Sequence, residues 1–235
     1  MTRMDLLPWL DRPDSERVAE IRSLPLSKVV RDDLLAMIVG GSLRPGDRIN
    51  EPDVARRLEV SRVPVREALR ELESTGLVVS RKHAGVFVRE LKASEIRNLY
   101  QLRAVFDGLA GLCVTERPES LRGALREQLS ASIAAMRRAA SLGLLQEYYR
   151  ANLQFHWDIV TAADNPELES SYRSLIQKLH LSRLRNLSQA RSMQASIQEH
   201  EAIAEALAAG DGARARTLLE SHVNDAWSRL NKEAT

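Results

Sequence analysis

Cysteine is almost missing from this chain of 235 residues; there is one, Cys113. A lone thiol excludes an internal disulfide framework and suits a reducing compartment. Its neighbours Leu109, Ala110 and Leu112 predict a small, buried, apolar role for it. Long apolar runs are missing too, so no segment is expected to span a bilayer. The opening stretch MTRMDLLPWLDRPDSERVAE carries charges inside its apolar part. It is expected to be neither a secretory signal nor an anchor, which points to the cytoplasm. An excess of one charge is also lacking, with a net charge of +2. The basic excess ahead of residue 93 is slight. Any case for nucleic acid therefore rests on where the arginines point. Internal repeats and low-complexity tracts are absent.

The length allows two modest domains. Residues 1–24 read as a loosely ordered lead-in, 25–92 as one domain and 93–235 as another, joined at RELKA. Ser27 precedes KVVRDDLLAMIVGG, in which Val30, Leu34 and Ile38 repeat at helical spacing up to Gly40-Gly41. LRPGDRI reads as a turn. Asn50 can cap EPDVARRLEV, and Ser61 can cap RVPVREALRELEST, closed by Gly76. LVVS and VFVRE then read as two strands around RKHAG. From Ala93 the pattern is helical. Breaks are expected at Pro118, Leu142-Gly143, Asp164-Asn165-Pro166, a polar region near Ser188–Ser192, and Gly210-Asp211-Gly212. The predicted fold class is mainly α: a winged helix-turn-helix of three helices plus a β-hairpin, then an all-α antiparallel bundle of about six helices.

In a winged helix-turn-helix the last helix enters the major groove, N-terminal end leading. Here Val65, Ala68, Leu69 and Leu72 form the inward face of that helix. Arg62 and Arg66, four apart, lie on another. Ser61 sits at the end whose free N–H groups favour a phosphate. Arginine can bond a guanine edge bidentately. Pro64 costs little in a first turn. Lys82 and His83 beside Gly85 form a basic wing tip. Arginines at this spacing, alongside Glu67, Glu71 and Glu73, would by themselves suit a merely solvated face. The ordered succession of helices, caps and hairpin favours DNA.

Five histidines are present. His83 is in the wing, and His180, beside Leu179 and Leu181, reads as core or boundary. His156 shares a helix face with Asn152, Ile159, Val160 and Ala163. His200 lies ten residues before Gly210, and His222 ten residues after Gly212. Across a helical hairpin each would sit about 15 Å from the turn, at one level. Ile197, His200, Ala204 and Leu207 make one stripe; Leu219, His222, Val223 and Ala226 make the other. Three inward imidazoles are costly unless each finds a partner. A metal ion satisfies all three at once. A set of ordinary hydrogen-bonded core histidines is the alternative.

The stretch NEPDVARRLEVSRVPVREALRELESTGLVVSRKHAGVFV resembles the GntR family of bacterial transcription regulators. The resemblance implies operator contacts by Ser61, Arg62 and Arg66, and a wing inserted near the minor groove at Gly85. Relatives often carry Gly where this chain has Glu59. From ASEIRNLYQLRAVFDGLAG onward, through FHWDIVTAADNPEL and EHEAIAEALAAGDGARARTLLESHV, the chain resembles the FCD effector-binding domain of the FadR subfamily, in its shorter, VanR-like variety. That implies a divalent ion held by an aspartate and three histidines, with a small carboxylate effector completing the coordination. His156, His200 and His222 match, while Asn152 stands where the aspartate is usual. Zinc is the first expectation, nickel or manganese the alternatives. Arg103 matches an arginine that binds carboxylate in relatives; pairing with Asp107 is equally open.

The expected function is therefore a metal-assisted, ligand-sensing transcription regulator, a repressor by kind. It would be a homodimer on a pseudo-palindromic double-stranded operator, with no membrane partner. A metal-dependent hydrolase is the alternative from another class. HEAIA at His200 fails the H-E-x-x-H pattern because Ala204 replaces the second histidine. A metal-free effector sensor is the third reading.

Overall fold

The computed structural model describes residues 7–9, 25–183 and 193–232. The break expected near Ser188–Ser192, and most of the expected lead-in, lie outside the described residues. The elements run α1 (Leu26–Val39), β1 (Arg48–Ile49), α2 (Glu51–Arg57), α3 (Arg62–Ser74), β2 (Val78–Arg81) and β3 (Gly85–Val88). Six helices follow: α4 (Ala93–Thr115), α5 (Glu119–Ser141), α6 (Leu145–Ala162), α7 (Pro166–Arg183), α8 (Met193–Ala209) and α9 (Gly212–Lys232). They form two compact units, Met1–Leu91 with Gln177–Arg185, and Lys92–Ile176 with Asn186–Thr235.

In the first unit α1 buries Val30, Leu34 and Ile38. They meet the inward face of α3, where Val65, Ala68, Leu69 and Leu72 are all buried. Three local expectations need correction. Ser27 lies inside α1, which begins behind Pro25. Asn50 and Ser61 do occupy cap positions with extended backbone, but neither side chain makes the capping bond. The supposed turn LRPGDRI ends in a strand: Arg48 and Ile49 pair with Phe87 and Val86 of β3. The hairpin is thus a three-stranded antiparallel sheet of order β1-β3-β2. Two residues are too few to show strand alternation in sequence. His180 is structural, its Nε2 donating to the Val39 carbonyl at 3.0 Å.

Between α2 and α3 the chain turns through Glu59, held at φ 55°. The left-handed region costs a side chain about 1–2 kcal/mol, and glycine nothing. Glu59→Gly should therefore stabilise the protein by up to about 1 kcal/mol once the extra entropy of the unfolded glycine is counted. A urea denaturation midpoint that moves up checks this; one that falls contradicts it.

In the second unit α4 and α9 are the most intimately packed pair, with α5 against α6 and α8. Gly111 sets the α4–α9 approach, because a Cβ there would stand 2.6 Å from Leu219 Cδ1. Leu129, Met136, Phe155, Ile159, Ile203, Leu219 and Val223 are closed from solvent in the core. This packing turns the histidine faces of α6, α8 and α9 toward one another. Helix α4 is apolar on its outer side as well, with Leu102, Val105 and Leu109 exposed by 50%, 56% and 41%. Cys113, on the same helix, is half-buried rather than enclosed.

Candidate functional site

His156, His200 and His222 are all buried, and their ligand atoms lie within 4.8 Å of one another. The ring centroids of His200 and His222 are 4.4 Å apart, so the two positions mirrored about the Gly210–Gly212 turn do meet. The His156 centroid lies 5.1 Å from that of His222 and 5.4 Å from that of His200. Phe155 stands edge-on to His200 with centroids 4.5 Å apart, fixing its plane.

Each ring is tethered through Nδ1. His156 Nδ1 lies 2.8 Å from Asp107 Oδ1, His222 Nδ1 lies 2.6 Å from Glu199 Oε2, and His200 Nδ1 lies 2.5 Å from the Ser196 carbonyl one turn back. An oxygen acceptor on Nδ1 holds the proton there and leaves the Nε2 lone pair for the interior. The consequence is visible between His156 and His222, whose Nε2 atoms are 3.2 Å apart. Two lone pairs at that separation repel unless a cation or a proton lies between them. The chemistry of this donor set therefore fits a cation bound by imidazole nitrogen. Asn152, also buried, places Nδ2 2.9 Å from His200 Nε2. Its amide oxygen is the atom able to join the donor set.

The tethers were not legible in the sequence. Asp107 receives His156, two contacts from the Tyr172 hydroxyl at 3.2 and 3.3 Å, and Arg103 Nε at 3.2 Å. Burial raises the Asp107 carboxyl above its ordinary pKa, and the Arg103 charge opposes that first. Arg103 is itself buried and pairs with Asp107, while its Nη2 finds no hydrogen-bond partner among the described residues. Glu199 also accepts both Nη atoms of Arg229, at 2.8 and 3.0 Å. Burial opposes the Glu199 charge, yet the bonds from His222 and Arg229 outweigh it and pull the carboxyl down to about 2. Burial lowers His200 well below the usual histidine value, with the neighbouring imidazoles adding to it. Burial also lowers His222, against the pull of Glu199. Neutral imidazoles are the form a metal requires.

The head presents a second surface. Ser61, Arg62 and Arg66 are exposed at the N-terminal end of α3. Lys82, His83 and Gly85 are exposed at the wing, where His83 and Gly85 turn at φ 61° and 102°. Arg48 of β1 lies across that turn, its Nε 3.2 Å from where a Cβ on Gly85 would be. Val63 is a further exposed apolar group on the leading turn of α3. Neither Arg48 nor Val63 was singled out in the sequence, where nothing marks a strand at the one or a solvated valine at the other. The remaining arginines of the head are unequally free. Arg31 bonds Asp32 and Glu71, Arg57 bonds Asp33, and Arg56 bonds Asp53. Arg62, Arg70 and Arg48 have no ion pair among the described residues. Arg66 is paired, its Nε 2.9 Å from Glu51 Oε2.

Among the described residues no helix is long and apolar enough to cross a membrane. Residues 98–225 match the family model described as the FCD domain, and residues 26–88 match "Bacterial regulatory proteins, gntR family". The chain is 31% identical to a protein of Paenarthrobacter nicotinovorans named "Probable D-xylose utilization operon transcriptional repressor", over 83% of this chain and 84% of that protein. It is 33% identical to the Nta operon transcriptional regulator of Aminobacter aminovorans, over 63% of this chain and 68% of that one. A solved GntR-type transcriptional regulator from Rhodococcus sp. RHA1 shares the fold with a TM-score of 0.72 and 26% identity, covering 88% of this chain and 97% of that chain.

Proposed function

Because this chain belongs to the GntR family of bacterial transcription regulators and carries an FCD domain behind its gntR head, we propose that it is a repressor-type regulator whose operator binding responds to a small carboxylate held at a divalent metal. The convergence of three Nδ1-tethered histidines carries this reading. His156, His200 and His222 would hold the ion through Nε2, with the Asn152 oxygen as a neutral fourth donor. Zinc suits this imidazole set first; nickel and manganese are the alternatives. When bound, the ion supplies positive charge for an anionic effector. Arg103 Nη2, a donor without a hydrogen-bond partner among the described residues, suits a carboxylate oxygen. Elemental analysis of protein purified without an affinity tag tests the reading, with about one divalent ion per chain expected. Metal-free protein that still binds carboxylates would favour a sensor using the histidines directly, a second reading supported by the Asn152–His200 hydrogen bond.

On DNA, Ser61 and the first turn of α3 would meet a phosphate. Arg62 and Arg66 would read base edges, and Val63 would suit a thymine methyl group. Lys82, His83 and Gly85 would follow the adjacent backbone or minor groove. A two-fold operator requires two heads. The exposed stripe Leu102, Val105 and Leu109 on α4 suits isologous packing against a second copy. Val105→Glu should shift the protein to monomer in sedimentation at micromolar concentration. A dimer of unchanged strength would place the interface elsewhere.

A further inference from the structure

Among the described residues, the pairing of Arg66 with Glu51 is the one ion pair that joins α2 to the exposed face of the recognition helix. Glu51 sits in the first turn of α2, and Arg66 in the second turn of α3. The contact is made by Arg66 Nε, at 2.9 Å, and not by the guanidinium tip. The Arg66 side chain remains 59% exposed, and that of Glu51 29%. We infer that Glu51 is a positioning residue for base readout: it grips Arg66 at Nε, so that both Nη groups are presented together to a guanine edge. This rests on the reading of α3 as the recognition helix.

The argument is one of donor geometry. A guanidinium has five N–H donors in a planar fork, and guanine accepts two of them at O6 and N7. With Nε–H engaged by Glu51, the Nη1/Nη2 edge stays available for those two acceptors. The bond also limits the rotamers of a long side chain before DNA arrives, so less freedom is lost on binding. Glu51 has an opposite effect on affinity at large, because a carboxylate near the duplex repels phosphates. A residue that sharpens discrimination while weakening unspecific binding has a signature no purely structural role shares.

The full-length protein is tested with two probes: a duplex selected by the wild type from a randomised pool, with its single-base substitution series, and a random duplex. Glu51→Gln keeps an acceptor but loses the charge. Glu51→Asp keeps the charge and the acidic first turn of α2, but is one methylene too short to reach Nε. Glu51→Asp should lower discrimination at one guanine position by roughly three- to tenfold, with the melting midpoint and random-duplex affinity nearly unchanged. Glu51→Gln should raise random-duplex affinity about two- to threefold. With Arg66→Ala already in place, Glu51→Asp should change discrimination no further. If Arg66→Ala costs discrimination but Glu51→Asp does not, positioning by Glu51 is overturned while the recognition helix stands. If Arg66→Ala leaves discrimination intact, the recognition helix falls, and this inference with it. A loss under Glu51→Asp that persists in the Arg66→Ala background also overturns positioning, because it marks a general distortion of the head.

Discussion

His156→Ala should remove divalent-metal binding, lowering affinity by more than the roughly 10–100-fold typical of losing a supporting residue around a metal site. The variant deletes one of three converging nitrogens and strands Asp107 without its imidazole donor. His83→Ala, at the wing, should leave metal affinity untouched. The companion change Asn152→Asp should act in the other direction. Asn152 already borders His200 Nε2 at 2.9 Å. A carboxylate there adds Coulomb attraction in a buried pocket, so a divalent ion should bind more tightly. The same negative charge should weaken a carboxylate effector in metal-saturated protein. Chelator competition measures the first quantity, and calorimetry with a series of small organic acids the second. Unchanged metal affinity in both variants would return these residues to the role of core polar groups.

The second large effect lies on DNA. Arg66→Ala should weaken binding to a selected operator by roughly 10- to 100-fold, the equivalent of about 1–3 kcal/mol for one bidentate guanine contact. Preference at that base should relax, while affinity for random duplex falls much less. The bundle should stay folded, because Arg66 is exposed and lies in the head, where it pairs with Glu51. Titration against the operator substitution series checks this. Equal operator affinity in moderate salt would remove Arg66 from the reading face.

What could be read ahead of the structure was what repeats within one helix or mirrors about one turn. The inward faces of α1 and α3 followed from helical spacing, and all their named residues are buried. His200 and His222 could be placed at one level because their distances from the glycines match. What could not be read depends on side chains far apart in sequence. Asp107 reaches His156 across 49 positions and Tyr172 across 65. Glu199 serves His222 from the neighbouring helix. No local pattern announces such pairs. Arg103 was open between an effector and Asp107; it bonds Asp107, while its Nη2 has no hydrogen-bond partner among the described residues. Strand β1 escaped notice because it borrows its form from β3. Ser61 was placed correctly at the end of α3, but its hydroxyl does not turn back onto the helix. Cap preferences describe averages, and exposed hydroxyls choose among several partners.

The tether of His200 differs from the other two in being a main-chain carbonyl rather than a carboxylate, with the Ser196 hydroxyl standing off at 3.5 Å. Its Nδ1 is held by the carbonyl of Ser196, a bond available only while that turn of α8 is wound. Opening of the turn and loss of this nitrogen are therefore one event. Ligand that binds the intact site must raise the free energy of that opening by mass action. If the site takes an ion as proposed, amide hydrogen exchange along Ser196–His200 should slow as ion is added, while exchange in the wing stays at its own pace.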